Sequence, residues 1–414
     1  MQQRTLAMLV GGGPAPGLNG VINAVTLAAR ARGWNVLGVP KGFSQLMKGD
    51  ISNVRELTEK DVAGIETRGG SILFTSRANP TKKPEDMQKV VESLKALGVT
   101  DLVTLGGDDT ATSATKVAAA SGAGMRAVHV PKTIDNDLPL PGQAPTFGFE
   151  TAKYWGSELC KNLRVDAQTT GRWYLITAMG RSAGHLALSM AVGSGSQLVV
   201  IPEEFPAGTI RLSDIADLVE AAIAKRRVDG SDWGVVVLAE GLLDRMDAQE
   251  LASFVTLEYD EHNNARLSEI DLGRVVRDVL LSRFKERKLD VGFITKIIGY
   301  ELRCADPVAF DVQYTRTLGV GAVDFLANGQ GHGLISVQDG KLVPIRFEDL
   351  RDPATGKVRI RRVDPQGAAW LASLPLQARL RPDDLQGARL EAFAKAAKLT
   401  PQQAQERFGA LAKA

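Results

Sequence analysis

Cysteine is nearly missing from this chain: Cys160 and Cys304 are the only two in 414 residues. Neither has a partner at metal-ligand spacing, which argues against a zinc site and suits a reducing compartment. Histidine is scarce as well. His129, His185, His262 and His332 are scattered, with no HxxxH or similar pair. No apolar run reaches membrane-spanning length, so no membrane partner is expected. Met1-Gln2-Gln3-Arg4-Thr5 leads at once into an apolar strand, without room for a signal peptide. The expected location is the cytoplasm. Neither sign of charge dominates: 50 Lys and Arg face 48 Asp and Glu, a net of +2. That balance disfavours a nucleic-acid partner and makes any anion binding local. There is no short internal repeat and no low-complexity linker. What is present, 44% hydrophobic and 24% charged residues, is the profile of a globular chain of two or three domains.

The informative stretch is Val130-Pro131-Lys132-Thr133-Ile134-Asp135-Asn136-Asp137. It closes an apolar run, Arg126–Val130, that reads as a buried strand. Open α/β sheets place ligands at the carboxyl ends of such strands. Here the strand end delivers a lysine, a hydroxyl and two carboxylates. In an extended segment Asp135 and Asp137, at i and i+2, point the same way. Two close carboxylates raise each other's pKa, which suits one of them as a base near neutral pH. Lys132 brings the charge that an anionic substrate such as a phosphate requires. A polar turn ended by Pro131, with an Asx-turn at Asp135 or Asn136, is the alternative.

Two earlier stretches repeat the pattern. The strand Leu6–Val10 runs into Gly11-Gly12-Gly13-Pro14-Ala15-Pro16-Gly17-Leu18-Asn19, and Val21, Ile22, Val25, Leu27 and Ala28 then recur at helical spacing. Glycines let backbone N–H groups approach a phosphate, and a helix N-terminus adds a favourable dipole. The loop is not a Walker A motif, because no Gly-Lys-Ser/Thr follows. It fails the dinucleotide GxGxxG pattern at Pro16, and the next strand ends in Pro40-Lys41 instead of a ribose-binding acid, which disfavours a nicotinamide cofactor. A tight turn explains one glycine but not three with two prolines. The strand Leu102–Leu105 likewise ends in Gly106-Gly107-Asp108-Asp109-Thr110, with a helix from about Ala111 to Ala120. A carboxylate beside a phosphate site points to Mg²⁺. A second acid there adds negative charge where a polyphosphate would lie, unless Asp109 merely occupies the favourable first turn of the helix. Gly69–Arg77 is a weaker glycine-led segment ending in an arginine.

The second half alternates in the same way. Phe149–Leu163 reads as a helix with Trp155, Leu159 and Leu163 at core spacing. Arg172 precedes the strand Trp173–Ala178, which ends in Met179-Gly180-Arg181, a plausible phosphate or sugar clamp where a helix opens near His185. The strand Val235–Ala239 ends in Glu240, which could accept sugar hydroxyls or be a solvated loop acid. Helices are expected at Ile270–Arg287 and Pro307–Leu326. A strand at Phe293–Ile298 precedes Tyr300-Glu301-Leu302-Arg303, and a hairpin turns at Asp339-Gly340. The charged, alanine-rich tail from Arg379 reads as helical packing or as an interface.

Taken in this order, Gly11–Asn19, Gly106–Thr110, Pro131–Asp137 and Met179–Arg181, with Glu240 and Tyr300–Arg303, resemble the phosphofructokinases over about residues 5–350. ATP-using members typically carry Gly-Gly-Asp-Gly and Pro-Gly-Thr-Ile-Asp-Asn-Asp; this chain has Asp109 and Lys132 instead, like the pyrophosphate-dependent branch. The resemblance implies an α/β fold of two Rossmann-like lobes with mostly parallel sheets flanked by helices and an active site in the inter-lobe cleft. Residues 1–148 and 301–350 would form the phosphoryl-donor lobe, and 149–300 and 351–414 the sugar-phosphate lobe with a C-terminal helical extension.

The activity implied is Mg²⁺-dependent, reversible phosphoryl transfer from pyrophosphate to the 1-hydroxyl of fructose 6-phosphate. Position by position, Asp135 resembles the base, Asp108 the metal carboxylate and Asp137 its support. Gly12, Gly13 and Gly107 resemble the pyrophosphate cradle, with Arg77 less closely, and Lys132 would sit against pyrophosphate and offset charge building up in the transition state. Asp109 would stand where a nucleotide's α-phosphate lies and repel it. Thr133, Met179, Gly180, Arg181, Glu240, Tyr300 and Arg303 resemble the fructose 6-phosphate pocket. Arg172 resembles an arginine that reaches a neighbouring subunit's site, so a homodimer or homotetramer is expected. Many members have histidine where this chain has Tyr300, and Lys296 has no assigned role. An ATP- or polyphosphate-dependent sugar-phosphate kinase of the same fold, or a non-catalytic sugar-phosphate-binding subunit, are the alternatives.

Overall fold

Runs of Val, Leu and Ile without polar alternation need cover on both faces, and parallel sheets between helices provide it. The computed structural model describes residues 4–122, 124–255, 270–350, 352–354 and 358–412; Met1–Gln3 and His262 lie outside the described residues. In chain order the strands are β1 (Thr5–Val10), β2 (Asn35–Val39), β3 (Arg55–Glu56), β4 (Asp101–Gly106), β5 (Arg126–Pro131), β6 (Arg172–Ala178), β7 (Leu198–Val200), β8 (Gly234–Ala239), β9 (Gly292–Ile298), β10 (Gly333–Gln338) and β11 (Lys341–Ile345). Six of the helices are labelled α1 (Leu18–Arg30), α2 (Pro84–Ala96), α3 (Asp108–Ser121), α4 (Phe149–Thr170), α5 (His185–Ser194) and α6 (Leu212–Val228). The chain divides into two compact units, Met1–Ala152 with Tyr300–Arg361, and Lys153–Gly299 with Arg362–Ala414.

The first unit holds a seven-stranded sheet of order β11-β10-β5-β4-β1-β2-β3. Its inner pairs are parallel; β3 and β11 close the edges antiparallel. Along β1 the side chains alternate between two cores. Leu6, Met8 and Val10 pack with α1 and the helix Ala309–Ala327, whereas Ala7 and Leu9 pack with α2 and α3. Asp311 lies fully buried and accepts the N–H groups of Gly148 (2.9 Å) and Thr151 (2.8 Å), satisfying donors at the start of α4.

The second unit holds a four-stranded, all-parallel sheet of order β7-β8-β6-β9. Trp173, Leu175, Val236 and Leu238 pack there with α6 and the helix Leu272–Arg287. The tail is helical, as its composition predicts, with helices Gly387–Ala397 and Pro401–Phe408. It is bound to α6 by a small core around Phe393 and Phe408, whose rings meet edge to face at 5.5 Å. Arg407 also pairs with the buried Glu220 (2.6 Å), and Lys225 with Asp384 (2.6 Å).

Three expectations need correction. Helix α3 begins at Asp108, not near Ala111, so both acids lie in its first turn. Helix α4 runs on to Thr170. Its core-spaced residues are not core: Trp155 and Leu159 are exposed and Leu163 is half-buried. Apolar spacing marks a face that favours burial but does not say what covers it.

Phe408→Ala is expected to destabilise the second unit by about 3–5 kcal/mol, the cost of emptying a buried aromatic site. Urea unfolding followed by tryptophan fluorescence measures it; a loss below about 1 kcal/mol would show the tail to be a loose appendage. A second expectation concerns pH. His129 on β5 accepts from the Thr104 hydroxyl at Nδ1 (2.9 Å) and donates from Nε2 to the Gly106 carbonyl (2.9 Å). Burial, aided by the charge of Lys132, pushes its pKa down to about 3 despite the Gly106 bond. The folded imidazole therefore stays neutral while the unfolded one protonates near 6.5, so its stabilising contribution is present above that pH and is lost as pH falls toward 3. The apparent Tm should drop between about pH 7 and pH 5 more steeply in the wild type than in His129→Gln; equal slopes would contradict the assignment.

Candidate active site

Three parallel strands of the first unit stop at one level. Val10 stands beside Leu105, and Gly106 beside Pro131. The Gly11 N–H donates to the Leu105 carbonyl and the Lys132 N–H to the Gly106 carbonyl, both at 2.8 Å. From β1 the chain goes to β2 on one side and later returns to β4 on the other. The loops after β1 and β4 therefore diverge, the topological switch at which such sheets bind ligands.

The first loop is shaped by its neighbours. The Gly12 N–H donates to the Ser76 carbonyl (2.8 Å), and the Thr75 hydroxyl donates to the Gly12 carbonyl. This places the segment ending in the exposed Arg77 alongside the glycines. The Arg303 guanidinium lies where a Cβ on Gly13 would be, and its Nε donates to the Pro14 carbonyl (3.4 Å). Helix α1 starts only at Leu18, after buried Ala15, Pro16 and Gly17. The dipole expected behind the glycines is thus set back from them: Pro14 and Pro16 keep the residues before them out of the helical region. Asn19, in the first turn of α1, braces the adjoining loop by donating to the Arg68 and Gly69 carbonyls (3.2 and 3.1 Å).

The second loop meets its helix directly, since Gly107 caps α3. N–H groups of that first turn lack intrahelical partners and carry the positive end of the dipole. Asp108 is half-buried and Asp109 exposed, and neither side chain makes a hydrogen bond or ion pair among the described residues. Thr110 turns inward instead. Its side chain fills the space that Cβ atoms on Gly11 and Gly106 would need, which explains two glycines by close packing.

The third loop carries the charges. Lys132 is only 7% exposed, and its ammonium lies 3.6 Å from where a Cβ on Gly12 would be. Asp135, also 7% exposed, donates its N–H to the Thr133 hydroxyl (3.0 Å), so a hydroxyl-closed turn replaces the Asx-turn considered above. Asn136 has a left-handed backbone (φ 56°), so the segment is not extended and the i, i+2 argument for Asp135 and Asp137 fails. The Asn136 side chain instead accepts from the Thr146 N–H (3.2 Å) and from Arg361. Tyr300 is 71% exposed, and the Arg303 guanidinium carbon lies 5.3 Å from its ring centroid.

In the second unit β6, β8 and β9 end in register, Ala178 beside both Ala239 and Ile298. Met179, Glu240 and Gly299 therefore emerge together, and the Met179 N–H donates to the Ile298 carbonyl (3.0 Å). Glu240 is half-buried and committed to the backbone: its Oε2 accepts the N–H groups of Gly180 (2.9 Å) and Arg181 (3.0 Å). That fixes the turn on which Arg181, left-handed at φ 47° and exposed, is displayed. Arg172 is the exposed first residue of β6, at the opposite end of that strand, and Lys296 is exposed on β9. Reading the sequence missed Thr110, Asn19, Arg361, Arg362 and Glu203. Each touches at least one segment distant in the chain, which no local pattern announces.

The donor set can be tested against a metal. No group of three or more His, Cys, Asp or Glu positioned for an ion occurs among the described residues. The two carboxylates of the first turn of α3, neither with a side-chain partner among the described residues, suit Mg²⁺, which takes one or two carboxylates together with phosphate oxygens and water.

The phosphofructokinase family model matches residues 5–326. The pyrophosphate–fructose 6-phosphate 1-phosphotransferase of Naegleria fowleri is 50% identical over 391 residues, covering 92% of this chain and 90% of that protein. Its namesake from Thermotoga maritima is 45% identical over 386 residues, 92% of each. Among solved structures, phosphofructokinase from Saccharomyces cerevisiae has a TM-score of 0.68 at 22% identity, over 84% of this chain and 45% of that one. The pyrophosphate-dependent phosphofructokinase from Nitrosospira multiformis has 0.67 at 17% identity, over 90% and 91%. These two structures speak for the fold, and the family model and the two sequence relatives for descent. With glycine loops, paired acids and the Met-Gly-Arg turn all at parallel-strand ends, the chain belongs to the phosphofructokinase family.

Proposed function

We propose that this chain transfers a phosphoryl group from pyrophosphate to the 1-hydroxyl of fructose 6-phosphate, giving fructose 1,6-bisphosphate and orthophosphate. The observation that carries the donor choice is the buried Lys132 ammonium against Gly12. A fixed cation at a glycine loop suits a compact, highly charged donor without a nucleoside. The exposed acid Asp109, in the first turn of α3 at the end of the neighbouring strand, would disfavour a longer donor by like-charge repulsion. The two named sequence relatives carry this activity in their names.

In this reading Gly13 and Gly107 offer backbone N–H groups to pyrophosphate, Gly12, whose N–H is held by the Ser76 carbonyl, shapes the cradle, and Lys132 and Arg77 offset the donor's charge. Asp108, with Asp137 in support, would hold Mg²⁺, which supplies charge neutralisation on the phosphoryl oxygens when bound. Thr133, Met179, Gly180, Arg181, Glu240, Tyr300 and Arg303 serve the sugar phosphate. Glu240 does so by holding the turn at Gly180 and Arg181. Asp135 takes the proton of the 1-hydroxyl as its oxygen attacks phosphorus in line. The new O–P bond forms, the bridging P–O bond breaks, and orthophosphate departs. One phosphoanhydride is exchanged for one ester with no nucleotide involved, and the reaction runs in both directions. A cytoplasmic location accords with the sparse cysteines, and no described helix is long and apolar enough to cross a membrane. Self-association is supported by the exposed apolar stripe of α4, where Tyr154 and Trp155 pack edge to face at 5.3 Å. Arg172 would then act across the contact between subunits.

Donor specificity is the test. With Mg²⁺ and fructose 6-phosphate, the wild type should turn over with pyrophosphate and negligibly with ATP. Asp109→Gly should gain about tenfold in ATP-supported rate, the effect of removing roughly 1.4 kcal/mol of repulsion. A wild type that prefers ATP would overturn the donor assignment and leave the fold standing.

A further inference from the structure

Beyond the residues that the family model matches, three consecutive residues each hold a candidate loop. Within the first unit the Arg361 guanidinium donates from Nε to the Asn136 carbonyl (2.9 Å), from Nη1 to the Ala144 carbonyl (2.8 Å) and from Nη2 to the Asn136 side chain. Its backbone N–H donates to the Asp137 carbonyl (2.7 Å). Within the second unit Arg362 Nη1 donates to the Ser182 carbonyl (2.8 Å). The Val363 N–H donates to Glu203 Oε1 (3.1 Å), which also accepts the Gly184 N–H (2.9 Å).

We propose that Arg361 is a positioning residue for the acids Asp135 and Asp137, and Arg362 a positioning residue for the Met179–Gly184 turn. The first half follows from Asn136. This residue joins the two acids and sits in a left-handed conformation that asparagine tolerates better than other non-glycine residues but that still needs contacts to hold its direction. Arg361 grips both its main-chain and side-chain oxygens and the main chain of the next residue. The planar guanidinium fork fixes direction as well as distance, which an ammonium cannot do. Losing it lets the acids drift without removing any group that binds substrate. The second half follows from the turn itself. Its N–H groups at Gly180, Arg181 and Gly184 are taken by Glu240 and Glu203, and its Ser182 carbonyl is tied by Arg362. Freeing Ser182 loosens the backbone that displays Arg181, a binding group, and leaves the acids alone.

The inference rests on the reaction proposed above and separates into two kinetic signatures of the full-length chain. Arg361→Met and Arg361→Lys should lower kcat by about 100-fold, the scale of a 1 Å misplacement, with KM for fructose 6-phosphate within about twofold of wild type. Arg362→Met should raise that KM by about tenfold, one charged hydrogen bond, with kcat and the pyrophosphate KM within about twofold. Circular dichroism checks folding, and if Arg361→Met does not fold, Arg361→Lys decides. Arg361 variants that keep wild-type kcat, or an Arg362 variant that lowers kcat at unchanged KM, would overturn the inference alone. An inactive wild type would overturn the reaction and the inference with it.

Discussion

The carbonyl oxygen of Gly106 is the point on which the proposed donor-side site depends. It accepts the Lys132 N–H and the imidazole of His129, at 2.8 and 2.9 Å. Both donors come from β5 and its extension, so β4 and β5 are pinned together where the sheet opens. One residue back, the Leu105 carbonyl receives the Gly11 N–H and ties in β1. Thr110 then fills the gap that two missing Cβ atoms leave. Three loops thus leave the sheet from one level with little freedom in their first residues. Such preorganisation is what phosphoryl transfer asks of a protein, which contributes position and fixed charge and little covalent chemistry.

The second unit solves its problem with carboxylates. Backbone N–H groups in a turn after a parallel strand would otherwise go unpaired, and Glu240 and Glu203 accept them. A carboxylate that holds a turn and a carboxylate that meets a substrate are different devices, and Glu240 is placed for the first. Burial pushes the Glu203 carboxyl upward, against the hydrogen bonds from Gly184 and Val363 that favour its charged form. In both units the sheet delivers the chain to the loop, and polar groups distant in sequence set its final path.

Much of this was legible beforehand. The apolar runs gave the parallel strands because unbroken Val, Leu and Ile can be buried on two faces. The glycines were read correctly as leaving the carboxyl ends of strands, although Asp108 and Asp109 lie in the first turn of α3 and not in a loop, and the resemblance to phosphofructokinases holds across the family match. Periodicity failed at Trp155 and Leu159, where apolar residues at core spacing are exposed. Alternation failed at Asp135 and Asp137, because Asn136 is left-handed and nothing local announces it. The anchoring set was invisible for a simple reason: Arg361 lies more than two hundred positions from Asn136, and one arginine among many carries no mark of its contact.

The central claim is that Lys132 and the Gly12 loop form a pyrophosphate site independent of the sugar. Titration calorimetry of Mg²⁺-pyrophosphate into the wild type and into Lys132→Gly, without fructose 6-phosphate, tests it most directly. The account predicts saturable binding to the wild type and at least about tenfold weaker binding to the variant, the worth of one buried charge-assisted contact. Equal affinity in the two proteins would contradict it.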